Sequence, residues 1–135
     1  MKRKLNCILL IDDNDADNDY HQIIISEMNV TDNIQVVENG EQAIVFLKKE
    51  NQIIPDLIFL DINMPRMNGW EFLEEYKNLD VAQRAKIVIV MLTTSANPDD
   101  VIRAETIAEV NGFKSKPLSE DMLNEILEQH FSDNA

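Results

Sequence analysis

Cysteine and basic residues are both scarce in this chain of 135 residues. Cys7 is the single cysteine, so no internal disulfide can form, and its place in an apolar run favours a small buried hydrophobic residue. Lysine and arginine together number 12, against 25 aspartate and glutamate residues. The resulting net charge of -13 argues against nucleic acid or an anionic membrane as a partner.

Long apolar segments are also missing. The basic start, Met1-Lys2-Arg3-Lys4, is followed by an apolar run only over residues 7–11. A secretory signal needs roughly 7–15 apolar residues and a cleavage site, and a membrane span needs about 20. We therefore expect a cytoplasmic protein. His21 and His130 have no cysteine or histidine at ligand spacing, which argues against a zinc site.

What the chain does contain is a regular alternation of strand and helix patterns. Short apolar runs predict five strands, at residues 6–11, 34–37, 57–60, 87–92 and 113–115. Helical patterns lie between the strands and after the last one, with no repeat, linker or low-complexity segment. This order predicts one α/β domain over residues 1–135, with a flavodoxin-like, doubly wound parallel sheet in strand order 2-1-3-4-5 and helices on both faces. With only residues 132–135 after the last helix, we expect no output domain.

Polar residues follow the strands of the predicted sheet. Asp12 and Asp13 end the first strand, Asp61 the third, Thr93 the fourth and Lys116 the fifth. Because the first and third strands are neighbours in the predicted order, the three carboxylates should lie close together and repel one another unless a cation joins them. Oxygen ligands of this kind suit Mg²⁺. A carboxylate nucleophile, a divalent cation, a lysine and a hydroxyl are the components that phosphoryl transfer requires.

These residues resemble a known family. Asp12-Asp13 after LLI, Asp61 within LDINMP, Thr93 after IVML, and Lys116-Pro117 occur in the order and spacing of the receiver domains of two-component response regulators. The resemblance extends over nearly the whole chain. It implies that Asp61 accepts a phosphoryl group from a histidine kinase or a phosphotransfer protein. It also implies that the protein catalyses only its own phosphorylation and slow dephosphorylation, and is otherwise not an enzyme.

The resemblance also assigns roles within the site. It implies that Asp13 and Asp61 bind Mg²⁺ or Mn²⁺, with Asp12 acting through water and Asn63 through its backbone carbonyl. Lys116 and Thr93 would hold the phosphoryl oxygens, and the Lys116-Pro117 peptide would be cis.

Family likeness further implies a switch and an output surface. Phe113 matches an aromatic residue that moves inward with the hydroxyl of Thr93, although a plain core aromatic is the alternative. The altered surface would be the fourth predicted helix, the fifth strand and the fifth predicted helix, roughly residues 97–131. That face would bind a downstream protein or a second copy of the chain. Thr94 and Ser95 complete the strand end, and Thr94, which is larger than the usual residue, is expected to narrow access to Asp61.

The first helix supplies a prediction about docking. Its stripe of Tyr20, Ile24 and Met28 is expected to face the core, with Ile23 on its flank. Ile25 then falls about a quarter turn away. An exposed Ile25 beside the acidic site would be a contact for the phosphodonor protein.

Three other interpretations compete with the receiver domain. Asp13-Asn14-Asp15-Ala16-Asp17 has the opening spacing of a calcium-binding EF-hand loop, but Ile24 stands where the bidentate Glu is required. A phosphatase of the haloacid dehalogenase type would place its nucleophile first and an aspartate at the position of Asn63. A receiver-like adaptor that ignores phosphate remains the alternative function, although it would be expected to have lost one of the site residues.

Overall fold

The structure is a computed structural model that describes residues 4–49, 53–84, 86–94 and 97–131. Its strands are β1 (Ile8–Ile11), β2 (Ile34–Val37), β3 (Leu57–Leu60), β4 (Val88–Thr93) and β5 (Val110–Ser115). Its helices are α1 (Asp15–Met28), α2 (Gly40–Lys48), α3 (Gly69–Tyr76), α4 (Val81–Arg84), α5 (Pro98–Glu105) and α6 (Glu120–Phe131). Thus the fourth and fifth predicted helices are α5 and α6.

All neighbouring strands are parallel, and the sheet order is β2-β1-β3-β4-β5, as predicted. The register matters most between the two central strands, where Ile11 of β1 pairs with Leu60 of β3. Asp12 and Asp61 each follow one of these paired residues. The parallel register therefore brings the two acids side by side at one edge of the sheet.

Hydrophobic side chains cover both faces of the sheet, which is why the three central strands β1, β3 and β4 are almost continuously apolar. Helices α2, α3 and α5 pack on one face, through residues that include Ala43, Phe72 and Ala104. Helices α1 and α6 pack on the other, through Ile25 and Leu127 among others. This arrangement confirms the doubly wound architecture.

Two helices begin at side chains of the type that favours helix N-termini. The side chain of Asn97 accepts from the backbone N–H of Asp99, and Pro98 opens α5. Ser119 caps α6 by accepting from Met122 N–H at 3.1 Å. Cys7 is fully buried as expected, and burial, with a smaller effect of the Asp56 charge, raises the pKa of its thiol to about 11.

The predicted inward face of α1 is only partly right, because Ile24 and Met28 are half-buried against the core whereas Tyr20 is not. Ile25 is fully buried, whereas Tyr20 and Ile23 are about half exposed, at 46% and 54%. The helix is rotated because Asn18 and His21 are buried despite their polarity, and they lie on the same side as Ile25 at helical spacing. A prediction based on the spacing of apolar residues does not include Asn18 and His21 in the inward face. Ile25 is therefore a core residue, and the docking hypothesis that depended on its exposure is wrong.

The fifth strand is longer than predicted. Asn-Gly pairs commonly turn the chain, but Asn111 and Gly112 both lie inside β5. The pairing with β4 shifts by one residue there, and the side chain of Asn111 accepts from Ile89 N–H at 2.9 Å. This is a β-bulge, which uses Asn-Gly without reversing the chain. The single turn α4 was also not predicted.

Candidate phosphoacceptor and metal site

Asp12 is held by the backbone at the end of β1. Its N–H donates to Val37 O at 3.0 Å, and its carbonyl accepts from the side-chain amide of Asn18 at 2.9 Å. Its Oδ1 accepts from Asn14 N–H at 3.0 Å. These bonds fix a buried carboxylate, while the neighbouring Asp13 is exposed.

Asp61 is held in the same way at the end of β3. Its N–H donates to Ile11 O at 3.0 Å, and its Oδ1 accepts from Ile62 N–H at 2.9 Å. The loop that follows returns tightly, because Gly69 N–H donates to Ile62 O at 2.8 Å. A Cβ on Gly69 would lie only 2.5 Å from Asp61 O, so this close approach requires glycine.

The three carboxylates form one cluster. One oxygen each from Asp12, Asp13 and Asp61 lies within 4.8 Å of the others. Such a set of hard, anionic oxygen donors fits a divalent cation that keeps several waters, as Mg²⁺ does. Asn63 is exposed in the loop two residues beyond Asp61. Its carbonyl as a fourth ligand stays a prediction.

Lys116 reaches this cluster from the end of β5. Its Nζ lies 2.6 Å from Asp12 Oδ2, 2.8 Å from Asp17 Oδ2 and 3.6 Å from Asp61 Oδ2. Burial lowers the pKa of the ammonium, but the hydrogen bonds to Asp12 and Asp17 and the nearby carboxylate charges outweigh burial, and the net pKa is raised. Lys116 is therefore a fixed positive charge at the site.

Asp61 is the carboxylate with the most perturbed environment. Burial, followed by the negative charge of Asp12, raises its pKa to about 6, against opposing effects of Lys116, the Ile62 N–H and the Thr93 hydroxyl. One ammonium shared among three carboxylates is too little positive charge to keep Asp61 in its ordinary range. A second cation would restore the ionised form that a nucleophile requires.

Thr93 ends β4 with a hydroxyl that is fully buried. The hydroxyl is near enough to Asp61 to oppose the rise of its pKa, yet within the described ranges it makes no hydrogen bond of acceptable geometry. A buried, unpaired donor at the same edge as Asp61 is the group expected to bind an incoming anionic oxygen. Thr94 is exposed beside it, and Ser95 lies outside the described residues.

The remaining predicted residues flank the site. The Lys116-Pro117 peptide is cis, as the family likeness implied. Phe113 lies on β5 opposite Met91 and is half-buried against the hydrophobic cluster that includes α2, α3 and α5. Its movement as a switch stays a prediction.

Three polar residues of α1 were missed as parts of the site. Asp17 contacts Lys116, and Asn18 contacts the Asp12 carbonyl. His21 accepts from Leu118 N–H at 3.3 Å. Burial and then the Lys116 charge lower the pKa of His21, against the charges of Asp17 and Asp12, so the neutral acceptor is favoured. The sequence signal that could have identified these three residues is their position, since all of them lie in the first two turns of the helix that follows Asp13.

A small cavity lies behind the carboxylates. Asp12, Asn18, His21 and Asp61 are among its lining residues, and about 10 Å³ is open to the centre of a water molecule. That space suits about one water. Asn18 Oδ1 is buried without a partner in the described part of the chain, so a single water there would satisfy it.

Comparison with known proteins identifies the family. The family model of the response regulator receiver domain matches residues 8–128 of this chain. The chain is 35% identical over 113 residues to response regulator Rcp1 of Synechocystis, covering 81% of this chain and 75% of Rcp1. The structure also matches the solved two-component response regulator of Cytophaga hutchinsonii, with a TM-score of 0.83 and 33% identity. The match covers 94% of this chain and 97% of that chain.

Two further solved structures are of response regulators, one phosphorylated and one bound to Mn²⁺. The phosphorylated cyanobacterial phytochrome response regulator RcpA matches with a TM-score of 0.75 at 31% identity, covering 96% of both chains. The Mn²⁺-bound form of response regulator Rcp1 matches with a TM-score of 0.74 at 30% identity, covering 96% of this chain and 97% of that one.

The chain therefore belongs to the response regulator receiver domain family, whose members act in two-component phosphorelay signalling. The receiver domain is a signalling regulator rather than a conventional enzyme, although the relatives include a protein-glutamate methylesterase of Xanthomonas oryzae, 29% identical, of which this chain covers 29% of the length. Among the helices in the described ranges, none has the length and apolar character needed to cross a bilayer.

Proposed function

We propose that this receiver domain accepts a phosphoryl group on Asp61 in a reaction that depends on Mg²⁺ or Mn²⁺. The observation that carries the proposal is the cluster of Asp12, Asp13 and Asp61 with the Lys116 ammonium 3.6 Å from Asp61 Oδ2. Asp61 follows the buried strand β3 directly and is only 8% exposed. The adaptor alternative is disfavoured because every polar residue of the site is kept.

The transfer uses the Asp61 carboxylate as nucleophile. A carboxylate oxygen forms the new O–P bond while the P–N bond of a phosphohistidine donor breaks, and the electron pair stays on the imidazole nitrogen. Lys116 and the Thr93 hydroxyl would hold phosphoryl oxygens as charge builds up on them. Slow attack of water on the acyl phosphate would return Asp61 to its carboxylate, and we propose no turnover of external phosphate esters.

The divalent cation would be held by Asp13 and Asp61, with Asp12 acting through water and the Asn63 carbonyl as a further ligand. When bound, it supplies positive charge that lets a dianionic phosphoryl group approach three carboxylates. The Mn²⁺-bound form of Rcp1 supports this choice of ion. The donor set itself, three carboxylate oxygens within 4.8 Å, supports it independently.

The partners follow from this chemistry. The phosphodonor would be a histidine kinase or a phosphotransfer protein. Its phosphohistidine would form where ATP is available, and we therefore propose that the domain acts in the cytoplasm. The output would leave through α5, β5 and α6, since Thr93 ends β4 at the site and Phe113 lies on β5, the strand that pairs with β4. A downstream protein or a second copy of the chain would bind there.

Intact mass after incubation with acetyl phosphate and Mg²⁺ tests the proposal. We expect a gain of one phosphoryl group that is lost in base, and no gain for Asp61→Asn. Asp56→Asn is the matched control, because Asp56 precedes the same strand at its opposite end and accepts from Asn6 N–H. A gain of mass by Asp61→Asn equal to that of the parent would refute Asp61 as the acceptor.

A further inference from the structure

A carboxylate outside the proposed acceptor and metal set contacts the lysine of the site. Asp17, in the first turn of α1, places Oδ2 2.8 Å from Lys116 Nζ. The lysine side chain is 6% exposed and that of Asp17 33% exposed, so the pair is partly shielded from water. Any effect of this pair on signalling depends on the proposed role of Asp61 as the phosphoacceptor.

The backbone around this pair is fixed on both sides. Lys116 N–H donates to Thr93 O at 2.8 Å, and Leu118 N–H donates to His21 Nε2 at 3.3 Å. On the helix, the Asn18 amide donates to Asp12 O at 2.9 Å. With both main chains held, the position of the ammonium depends on which side chains it contacts.

The ammonium favours two of the three carboxylates around it. Nζ is within hydrogen-bond distance of Asp12 and Asp17, at 2.6 and 2.8 Å, but stands 3.6 Å from Asp61. Two of its three donors are therefore engaged away from the acceptor residue. Phosphoryl oxygens on Asp61 would have to attract the ammonium in competition with these partners.

We propose that Asp17 is a positioning residue that holds the Lys116 ammonium away from Asp61 and so weakens the phosphorylated state. A side chain that binds the Lys116 ammonium in only one of two states shifts the equilibrium toward that state, here the unphosphorylated one. Removal of the Asp17 charge frees Lys116 for the phosphoryl group, and affinity for that group rises. Asp17 thereby sets how strongly this receiver holds its signal.

A structural role for Asp17 would give a different result. As an acid in the first turn of α1, it also interacts favourably with the helix dipole. Asp15 shares that turn and is exposed, so Asp15→Asn removes the same charge and the same dipole interaction. It is the matched control because the ion pairs of Lys116 within the described ranges are with Asp12, Asp17 and Asp61.

The test is the affinity of the full chain for beryllofluoride, a stable analogue of the phosphoryl group on a carboxylate, titrated calorimetrically with saturating Mg²⁺. We expect Asp17→Asn to bind about three- to tenfold more tightly than the parent. Asp15→Asn should stay within about twofold of the parent, and Asp17→Glu, which keeps the carboxylate, should restore affinity close to that of the parent. Asp17→Ala should behave as Asp17→Asn.

The outcomes separate this inference from the proposed function. If the parent chain does not bind beryllofluoride, or if Asp61→Asn binds it equally well, the proposed function fails. If the parent binds but Asp17→Asn is no tighter than Asp15→Asn, Asp17 acts only as a helix or general charge residue and the inference is overturned. Weaker binding by Asp17→Asn overturns it as well.

Discussion

Lys116 lies closer to Asp12 than to Asp61, with Nζ 2.6 Å from Asp12 Oδ2 and 3.6 Å from Asp61 Oδ2. The single ammonium therefore compensates the carboxylate of β1 better than the carboxylate that would accept phosphate. This asymmetry agrees with the raised pKa of Asp61, about 6. The site is short of positive charge where the chemistry would occur, and a divalent cation would supply it.

Removal of the lysine should destabilise the fold when no metal is present. Lys116→Met leaves Asp12, which is buried, without its ion-pair partner, and the loss for such a broken pair is roughly 3–5 kcal/mol. Urea denaturation with a chelator measures it, and added Mg²⁺ should recover part of the loss. Lys114→Met removes a more exposed ion pair with Glu125 and should lose less than about 1 kcal/mol. Equal losses in the two variants would contradict this account.

Asp61 should make the metal-free protein less stable as pH rises. Because its folded pKa of about 6 exceeds the ordinary value of 3.8, the native state binds more protons than the unfolded chain between these values. The stability present below pH 3.8 is therefore lost as pH rises through about 6. Asp61→Asn cannot ionise and should be more stable than the parent at about pH 7.5 by roughly 2–3 kcal/mol, a gain that disappears near about pH 4. Denaturation at both pH values, with a chelator, tests this, and a gain independent of pH would exclude it.

Asp13 should contribute to metal affinity without contributing to the fold. It is exposed, so Asp13→Asn should change the free energy of unfolding by no more than about 0.5 kcal/mol. Losing one of three clustered carboxylates should weaken Mg²⁺ binding at least about tenfold in a calorimetric titration. Asp19→Asn, which removes an exposed charge on α1, is the control. Phosphorylation of the parent that persists under chelation would argue against a metal role altogether.

Gly69 should tolerate no side chain. An alanine Cβ would meet backbone on two sides, 2.5 Å from Asp61 O and 3.0 Å from Ile62 Cα, and backbone of a buried strand end cannot move aside cheaply. Gly69→Ala should cost roughly 1–3 kcal/mol and slow phosphorylation by displacing Asp61. At Gly112 the nearest atom would be a methyl of Val90 at 3.5 Å, so Gly112→Ala should fold and be phosphorylated as the parent is. Similar behaviour of the two variants would show that the loop can adjust.

The sheet and the carboxylate cluster could be predicted because both follow from simple periodicity. Buried parallel strands are nearly all apolar, so their ends are visible, and register then brings Asp12 next to Asp61. The same argument placed Lys116 and Thr93 at that edge. Where local pattern and tertiary position agree, sequence alone was sufficient.

The failures occurred where polar residues are buried or where one motif serves two structures. Asn18 and His21 face inward because each has a backbone partner in another loop, which no count of apolar residues reveals. With Asn18 and His21 facing inward, Ile25 is buried in the core and Asp17 contacts Lys116. A turn and a bulge can likewise both use Asn-Gly, and only the pairing with β4 decides between them.

Replacing Thr93 by valine should stabilise the resting domain and disconnect its output. The buried hydroxyl makes no well-formed hydrogen bond within the described ranges, so Thr93→Val removes an unpaired polar group at nearly constant shape. At about pH 4, where Asp61 is uncharged and the hydroxyl no longer lowers its pKa, the variant should gain about 1–2 kcal/mol. The same variant lacks the donor that would follow a phosphoryl group on Asp61 and draw Phe113 inward. It should therefore still gain one phosphoryl group by intact mass, yet lose the change in hydrogen exchange that beryllofluoride produces over α5, β5 and α6 of the parent. Thr94→Val alters the exposed neighbour and should keep that change. If Thr93→Val shows the parent's exchange response, the signal reaches the output face through residues other than Thr93.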